Sequence, residues 1–155
     1  MREFNSIDEL RPLVGHEVAV SDWVTIDADR VERFACATRA HSVDEDISSS
    51  GEPATFVAAI ARDFLALSLL PWLSQQTLSI RDTKMAVNLG LNRVRFPAPI
   101  IAGSRLRGRF TLRQIDTLEP LGGMPGVQVV WEVTIEQADQ TEPICVAESV
   151  SRRYG

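Results

Sequence analysis

Two hydrophobic periods divide the chain into a helical first half and a strand-rich second half. In 27–38, apolar side chains recur every three or four residues, which predicts an amphipathic helix that Asp27 can cap. The stretch 56–73 is apolar on nearly every side, which predicts a helix buried in the core. A shorter helix is predicted over 5–15, with Ser6 as its N-cap.

Apolar and polar residues alternate in the second half, which predicts β-strands. Strands are predicted within 84–96, 104–115, 126–136 and 143–154, and 16–26 is also β-rich. The parity of the alternation switches around Gly90 and Asn92, which predicts a β-bulge. One buried helix followed by long, antiparallel-looking strands predicts an α+β fold in which a sheet packs around the helix.

The length, net charge and residue content of the chain limit the functions it can have. The length of 155 residues fits one domain spanning 1–155, and the net charge of -5 argues against nucleic acid as the main partner. No apolar run is long enough to span a membrane and no secretory signal is recognisable, so a cytoplasmic protein is expected. Cys36 and Cys145 lie in apolar contexts and are predicted to be small buried hydrophobes.

Three segments carry a family resemblance: "FLALSLLPWL", "MAVNLGLNRVRFPAPIIAGSRLRGRFTL" and "PICVAESVSRRY", with "SDWVTID" near the N-terminus. They resemble the MaoC-like hydratases, and most closely the small (R)-specific enoyl-CoA hydratase branch that includes nodulation protein N. The resemblance implies a hotdog fold, a long central helix wrapped by an antiparallel sheet. It also implies a homodimer with a continuous sheet, which binds an acyl-CoA thioester at the subunit interface. The family hydrates trans-2-enoyl-CoA with neither a metal nor an organic cofactor.

The family's catalytic positions are substituted in this chain. Where the family has Thr-Gly-Asp-His, this sequence reads "TRAH", so Ala40 replaces the catalytic Asp and Glu45 replaces the catalytic His. Where the family begins its central helix with His-Gly-Phe, this sequence has Arg62 and Asp63. Ala40 cannot transfer a proton, and the Asp63 carboxylate would oppose the negative charge of an enolate.

Three functions follow from these substitutions. The leading hypothesis is an acyl-CoA hydratase-family protein with little or no hydratase activity, either a non-catalytic subunit or an acyl-CoA binder. The second is an active (R)-specific hydratase or dehydratase that uses His41 and Glu45, although an acidic loop such as 39–54 is usually just solvated. The third is a hotdog thioesterase that uses Asp63, for which a structural ion pair is the simpler interpretation.

Other side chains are assigned to binding or assembly. Substrate binding is assigned to Arg62, Asp63, Ser68 and Asn88, with local helix capping by Ser68 and backbone hydrogen bonding by Asn88 as the alternatives. The arginines of 105–113 could meet CoA phosphates, but a solvated outer sheet face is favoured. A homodimer is expected because the last strand and the central strand face are too apolar to leave open, and an exposed sheet edge invites pairing. A complex with a MaoC-like chain that retains the Asp/His dyad is the alternative assembly.

Overall fold

In the computed structural model, the residues whose structure is described are 1–38, 55–101 and 103–155. Three α-helices lie in these ranges, together with a short 3₁₀ helix at Ile7–Leu13. The α-helices are α1 (Ala28–Thr38), α2 (Thr55–Ser68) and α3 (Leu70–Thr77). The strands are β1 (Arg2–Phe4), β2 (Glu17–Val20), β3 (Val24–Thr25), β4 (Leu78–Ile80), β5 (Met85–Arg95), β6 (Arg105–Leu121), β7 (Met124–Gln137) and β8 (Cys145–Tyr154).

The main sheet is antiparallel and, within the described residues, six-stranded. Its order is β2-β6-β7-β8-β5, and β3 also pairs with β6. The last strand, β8, is therefore covered by a neighbour on each side, and β5 forms one edge of the sheet, with β2 and β3 at the other. The apolar last strand is covered within the chain itself, because β5 pairs along nearly the whole of it. A separate parallel pair joins β1 to β4, which the sequence pattern did not predict.

The core lies between α2, α3 and one face of the sheet. Leu65, Leu70 and Leu73 of the helices are buried in one cluster with Phe110 of β6 and Trp131 of β7. On β7 the alternate residues from Val127 to Ile135 face this core, as the period of two requires. This is the predicted α+β arrangement of a helix packed into an antiparallel sheet.

The predicted central helix is interrupted by a turn. A single helix over 56–73 was expected, but α2 ends at Ser68 and α3 begins at Leu70. Pro71 lies in the first turn of α3, where its missing N–H would have no intrahelical partner anyway. The helices are also not buried on all sides, because Phe64 is 54% exposed and Trp72 is 43% exposed.

Local predictions had mixed outcomes. Asp27 caps α1, since its Oδ1 accepts a hydrogen bond from the Arg30 N–H at 2.8 Å. The bulge is confirmed by register shifts in β5 on either side of Gly90, whose φ of 153° favours glycine. Ser6 makes no side-chain capping bond, and that prediction is wrong. The Glu9 carboxylate instead accepts hydrogen bonds from the backbone N–H and side-chain amide of Asn5.

The two cysteines differ. Cys145 is buried, as predicted, whereas Cys36 is exposed on α1, against prediction. Cys36 lies on the outer side of an amphipathic helix, and an apolar local context does not say which side a neighbouring element covers. Among the helices described, none is long and apolar enough to cross a membrane.

Candidate functional site

The positions of the family dyad fall outside the described residues. Ala40, His41 and Glu45 all lie in 39–54. The hypothesis that His41 and Glu45 form a substitute acid/base pair therefore stays a prediction. The other substituted position, Asp63, lies in α2 and can be examined directly.

Asp63 has a partly buried carboxyl group in an unfavourable setting. Its Oδ1 is buried and receives no hydrogen bond from any described residue. Burial raises the pKa of this carboxyl group, and the positive charge of the adjacent Arg62 offsets only part of the effect. The surroundings of Asp63 thus make its ionised form less stable than it would be in water.

Cys145, the first residue of β8, lies close enough to Asp63 for the carboxylate charge to affect the thiol. Burial raises the pKa of the Cys145 thiol to about 11, and the negative charge of Asp63 contributes to the increase. The thiol is therefore protonated at neutral pH and is a poor nucleophile. The sequence interpretation treated Cys145 only as a small hydrophobe, because nothing local indicated that the start of β8 packs beside Asp63.

Within the described residues Asp63 forms no ion pair, so the simpler interpretation of a structural ion pair has no support there. The positive charge of Arg62 nevertheless acts to lower the pKa of Asp63. The Arg62 Nη1 instead donates to the carbonyl oxygen of Ile100 at 3.5 Å, which is long for a hydrogen bond. The side chains of successive helical residues point in different directions, so those of Arg62 and Asp63 do not face each other.

Ser68 and Asn88 lie on different elements. Ser68 was expected to face a crowded core, but it is exposed, and that expectation is wrong. Its Oγ donates to the Leu65 carbonyl at 2.6 Å, which is the predicted local capping bond. Asn88 lies on β5 opposite Ser151 of β8, and its side chain makes no hydrogen bond with another described residue. The backbone-bonding interpretation of Asn88 therefore has no support in the described structure.

The arginines of 105–113 are engaged with other side chains on the outer face of the sheet. Arg109 pairs with Glu17 through two contacts, of 2.6 and 2.9 Å. Arg107 contacts Glu136 at 2.7 Å. Arg113 contacts Glu132 at 2.7 Å, and Arg105 lies 5.7 Å from the centre of the Trp23 ring. These contacts agree with the favoured interpretation of a solvated, ion-paired face.

Comparison with known proteins identifies relatives over nearly the whole chain. A scan against models of known protein families finds no match. The chain is 40% identical to 3-hydroxyacyl-thioester dehydratase Z of Mycobacterium tuberculosis, with 98% of each chain covered. It is 33% identical to nodulation protein N of Rhizobium leguminosarum bv. viciae, with 92% of this chain and 87% of the relative covered.

Solved structures support the fold. A MaoC-like dehydratase from Rhodospirillum rubrum superposes with a TM-score of 0.62 at 13% identity, over 96% of both chains. An R-hydratase from Pseudomonas aeruginosa superposes with a TM-score of 0.53 at 18% identity, over 89% of this chain and 79% of that one. Both similarities concern the arrangement of the helices and the sheet. With the sequence relatives, they establish that the chain has the hotdog fold and belongs to the MaoC-like hydratase family.

Proposed function

We propose that this protein binds acyl-CoA thioesters and has little or no hydratase activity. The main support is the Oδ1 of Asp63, which is buried and has no hydrogen-bond partner in the described structure, at the position where the family resemblance expects glycine. The family uses a backbone N–H there to stabilise the thioester oxygen as it gains negative charge. The substitution of both dyad positions, by Ala40 and Glu45, agrees with the same proposal.

The physical argument concerns charge in a poorly solvated site. Hydration of an enoyl thioester builds negative charge on the thioester oxygen in an enolate-like transition state. A carboxylate near that oxygen repels the charge, and the repulsion is stronger in a low dielectric than in water. The Asp63 side chain also occupies space that glycine would leave open for the close approach of the substrate.

We expect crotonyl-CoA hydration at least about a thousandfold slower than in a relative that retains the dyad. One positioned acid or base typically contributes about 10² to 10⁴ in rate, and two such groups are substituted here. Steady-state hydration of crotonyl-CoA by this protein and by a dyad-bearing relative, side by side, tests the expectation. Turnover within about tenfold of the relative would contradict it, and His41→Ala and Glu45→Ala would then test whether these residues replace the dyad.

Restoration separates the missing dyad from the altered oxyanion position. Ala40→Asp combined with Glu45→His returns both proton-transfer groups but leaves Asp63, and we expect this double variant to remain nearly inactive. Adding Asp63→Gly should raise activity by about 10² to 10³, the usual effect of one oxyanion donor. Adding Asp63→Asn instead removes the charge but keeps the bulk, so it separates the two effects. Full activity of the double variant would refute the role assigned to Asp63.

Binding is tested independently of turnover. Butyryl-CoA has no double bond to hydrate, so calorimetric titration with it reports binding alone. We expect saturable binding, and we propose that Arg62, Ser68 and Asn88 contribute to it. Alanine at each of these positions should weaken binding, and an absence of butyryl-CoA binding would refute the acyl-CoA proposal.

A thioesterase is the second candidate, and the protonation behaviour of Asp63 favours it over an active hydratase. Burial raises the pKa of the Asp63 carboxyl group, and a general base is most effective when its pKa approaches the working pH. Release of free CoA from acyl-CoA substrates, followed with a thiol reagent, tests this candidate. Hydrolysis that is lost in Asp63→Asn would support it, and hydrolysis that survives in that variant would exclude Asp63 as the base.

The assembly we propose is a homodimer formed through β5. This eleven-residue strand is the longer edge of the main sheet, and Val87, Leu89 and Leu91 on it are 41%, 48% and 42% exposed. An exposed, apolar edge strand is a template for pairing with another chain. We further propose a single domain over 1–155, a cytoplasmic location and, as the alternative assembly, pairing with a dyad-bearing MaoC-like chain.

A further inference from the structure

A polar cavity lies between α3 and the strands β5, β7 and β8, on the core side of the sheet. Its volume is about 240 Å³. The polar part of its lining comprises Ser74, Gln75, Asn88, Ser149, Ser151 and Arg153. The core face of a sheet normally carries apolar side chains, so a patch of this composition needs a physical explanation.

Strand register gathers these side chains. Ser149, Ser151 and Arg153 are alternate residues of β8, so they share a face with Cys145, which is fully buried. Asn88 of β5 lies directly opposite Ser151, and Trp131 of β7 lies opposite Ser149. The face of β8 thus changes from apolar to polar between Cys145 and Arg153.

Two residues of the cavity lining each carry a buried donor that has no partner among the described residues. Trp131 is 5% exposed, and its Nε1 makes no hydrogen bond to any described residue. The Arg153 Nε is also buried and unpartnered in the described structure. An unsatisfied buried donor typically costs about 1–3 kcal/mol, and more when it carries charge. Two such donors beside one cavity make it a suitable place for a hydrogen-bond acceptor.

The described lining of the cavity carries a positive charge and no negative charge. Among the lining residues that the structure describes, none is Asp or Glu, and Arg153 is the one cation. A neighbouring cavity shares Arg153 and is lined by Asp8, Asp82 and Glu119, but none of these acids forms an ion pair with Arg153 in the described structure. Burial also lowers the pKa of the Arg153 guanidinium, as expected for a cation that lacks a counter-charge.

We propose that this cavity binds a carboxylate group, with the Arg153 guanidinium as counter-charge and the Trp131 N–H and neighbouring side chains as further donors. A carboxylate matches a single guanidinium in charge and can accept two of its N–H groups at once. A phosphate dianion would remain half neutralised. The apolar part of the lining, which includes Leu70, Leu78 and Phe110, suits a hydrocarbon chain attached to the carboxylate.

The volume of the cavity indicates that only part of a ligand enters it. Small-molecule sites usually measure about 300–1,000 Å³, so this cavity fits one end of a ligand better than a whole acyl-CoA. The carboxylate can therefore belong to a free dicarboxylic acid or to the far end of an acyl chain. The second source rests on the proposed acyl-CoA binding, whereas the first does not.

Calorimetric titration of the full chain with adipate tests the site itself. We expect saturable binding of adipate and none of adipamide, which has the same shape without the charge. Arg153→Gln should weaken adipate binding by about 10- to 100-fold, the usual value of a charged hydrogen bond. Arg152→Gln is the matched control, because Arg152 is the next residue on β8, points to the opposite face and contacts Gln128 there. It should leave binding unchanged.

Two further variants keep the test decisive if Arg153→Gln impairs folding. Trp131→Phe removes one donor but keeps an aromatic ring, and Ser151→Ala removes a hydroxyl group. Each of these two substitutions should weaken adipate binding several-fold. The thermal unfolding midpoint of every variant is measured as a check that it is folded. Adipate that fails to bind, or that binds equally to all of these variants and to the unmodified chain, would overturn the proposal for free dicarboxylates.

Pairs of acyl-CoA thioesters of equal chain length, one with a terminal carboxylate and one without, test whether the bound carboxylate is the far end of an acyl chain. Adipoyl-CoA is compared with hexanoyl-CoA, and sebacoyl-CoA with decanoyl-CoA. A preference of about tenfold or more for the carboxyl-terminated member, abolished by Arg153→Gln, places the carboxylate at the end of an acyl chain. Adipate binding without any CoA thioester binding would support the cavity proposal and refute the proposed function. If neither adipate nor a carboxyl-terminated thioester is preferred, the cavity holds only water and the proposal fails.

Discussion

Asp63 combines an ionisable carboxyl group, partial burial and a buried oxygen that no described residue reaches with a hydrogen-bond donor. Because burial raises the pKa of this carboxyl group, the folded state binds its proton more tightly than the unfolded state does. The resulting stability is present at pH values below the ordinary pKa of 3.8 and is lost as the pH rises through the higher pKa of the folded state. The ionised Asp63 side chain therefore destabilises the folded state at neutral pH.

We predict that Asp63→Asn raises the free energy of unfolding at about pH 7 by up to about 1 kcal/mol. This is the low end of the usual cost of an unsatisfied buried group, because Asp63 retains some contact with solvent. The difference from the unmodified chain should shrink as the pH falls towards 3.8. Urea unfolding as a function of pH measures it, and Asp22→Asn is the control because Asp22 is exposed. A difference that grows on acidification would have the wrong sign.

The outer face of the main sheet shows what an element contributes beyond its single residues. Strands β2, β6 and β7 place arginines and glutamates opposite each other, so that Arg109 contacts both Glu17 and Glu136. Hydrogen bonding to Glu17 is the main cause that raises the pKa of the Arg109 guanidinium. A face whose cations are already paired offers little net positive charge to the phosphates of CoA.

We predict that Arg109→Gln lowers the free energy of unfolding by only about 0.2–1 kcal/mol, because partly exposed ion pairs are screened by water. The loss should become smaller at high salt, which weakens the same pairs in the unmodified chain. Butyryl-CoA affinity should not change. An affinity loss of about tenfold or more in this variant would instead assign the face to CoA binding.

At the scale of the whole molecule, several exposed apolar side chains lie on or beside β5, one edge of the sheet. Phe64 of α2 is 54% exposed and packs against Phe96, which follows β5, with ring centres 5.8 Å apart. Together with the exposed apolar side chains of β5, this forms a surface that a second copy would cover. The proposed homodimer would pair that edge and bury that surface.

We predict a solution mass of twice the 17.2 kDa chain by light scattering at micromolar concentration, without ligand. Leu89→Glu should give a monomer, because it places two like charges at the paired edges and removes apolar burial there. Leu121→Glu is the matched control, since Leu121 is 50% exposed at the end of β6, away from β5. A monomeric unmodified chain, or equal loss of the dimer in both variants, would argue against the β5 interface.

The sequence predicted the features that depend on near neighbours along the chain. The period of two in 126–136 gave β7 to within two residues at its start and one at its end, because alternation is imposed by the geometry of a strand. The Asp27 cap and the β5 bulge were also correct, since a cap and a parity switch leave local signatures. The helix over 56–73 was only partly correct, because the turn at Leu69 has no strong local breaker before it.

The sequence by itself also determined the family, since long segments match it and the substituted positions Ala40, Glu45 and Asp63 can be identified within that match. Only the tertiary structure decided that Asp63 lies beside Cys145, that β5 is an edge strand, and that Arg153 shares a cavity with Trp131. Each of these depends on which strands are neighbours and in which register, and such pairing joins residues far apart in the chain. Local periodicity assigns a side chain to one of two faces of a strand, but strand order and register decide what it meets there.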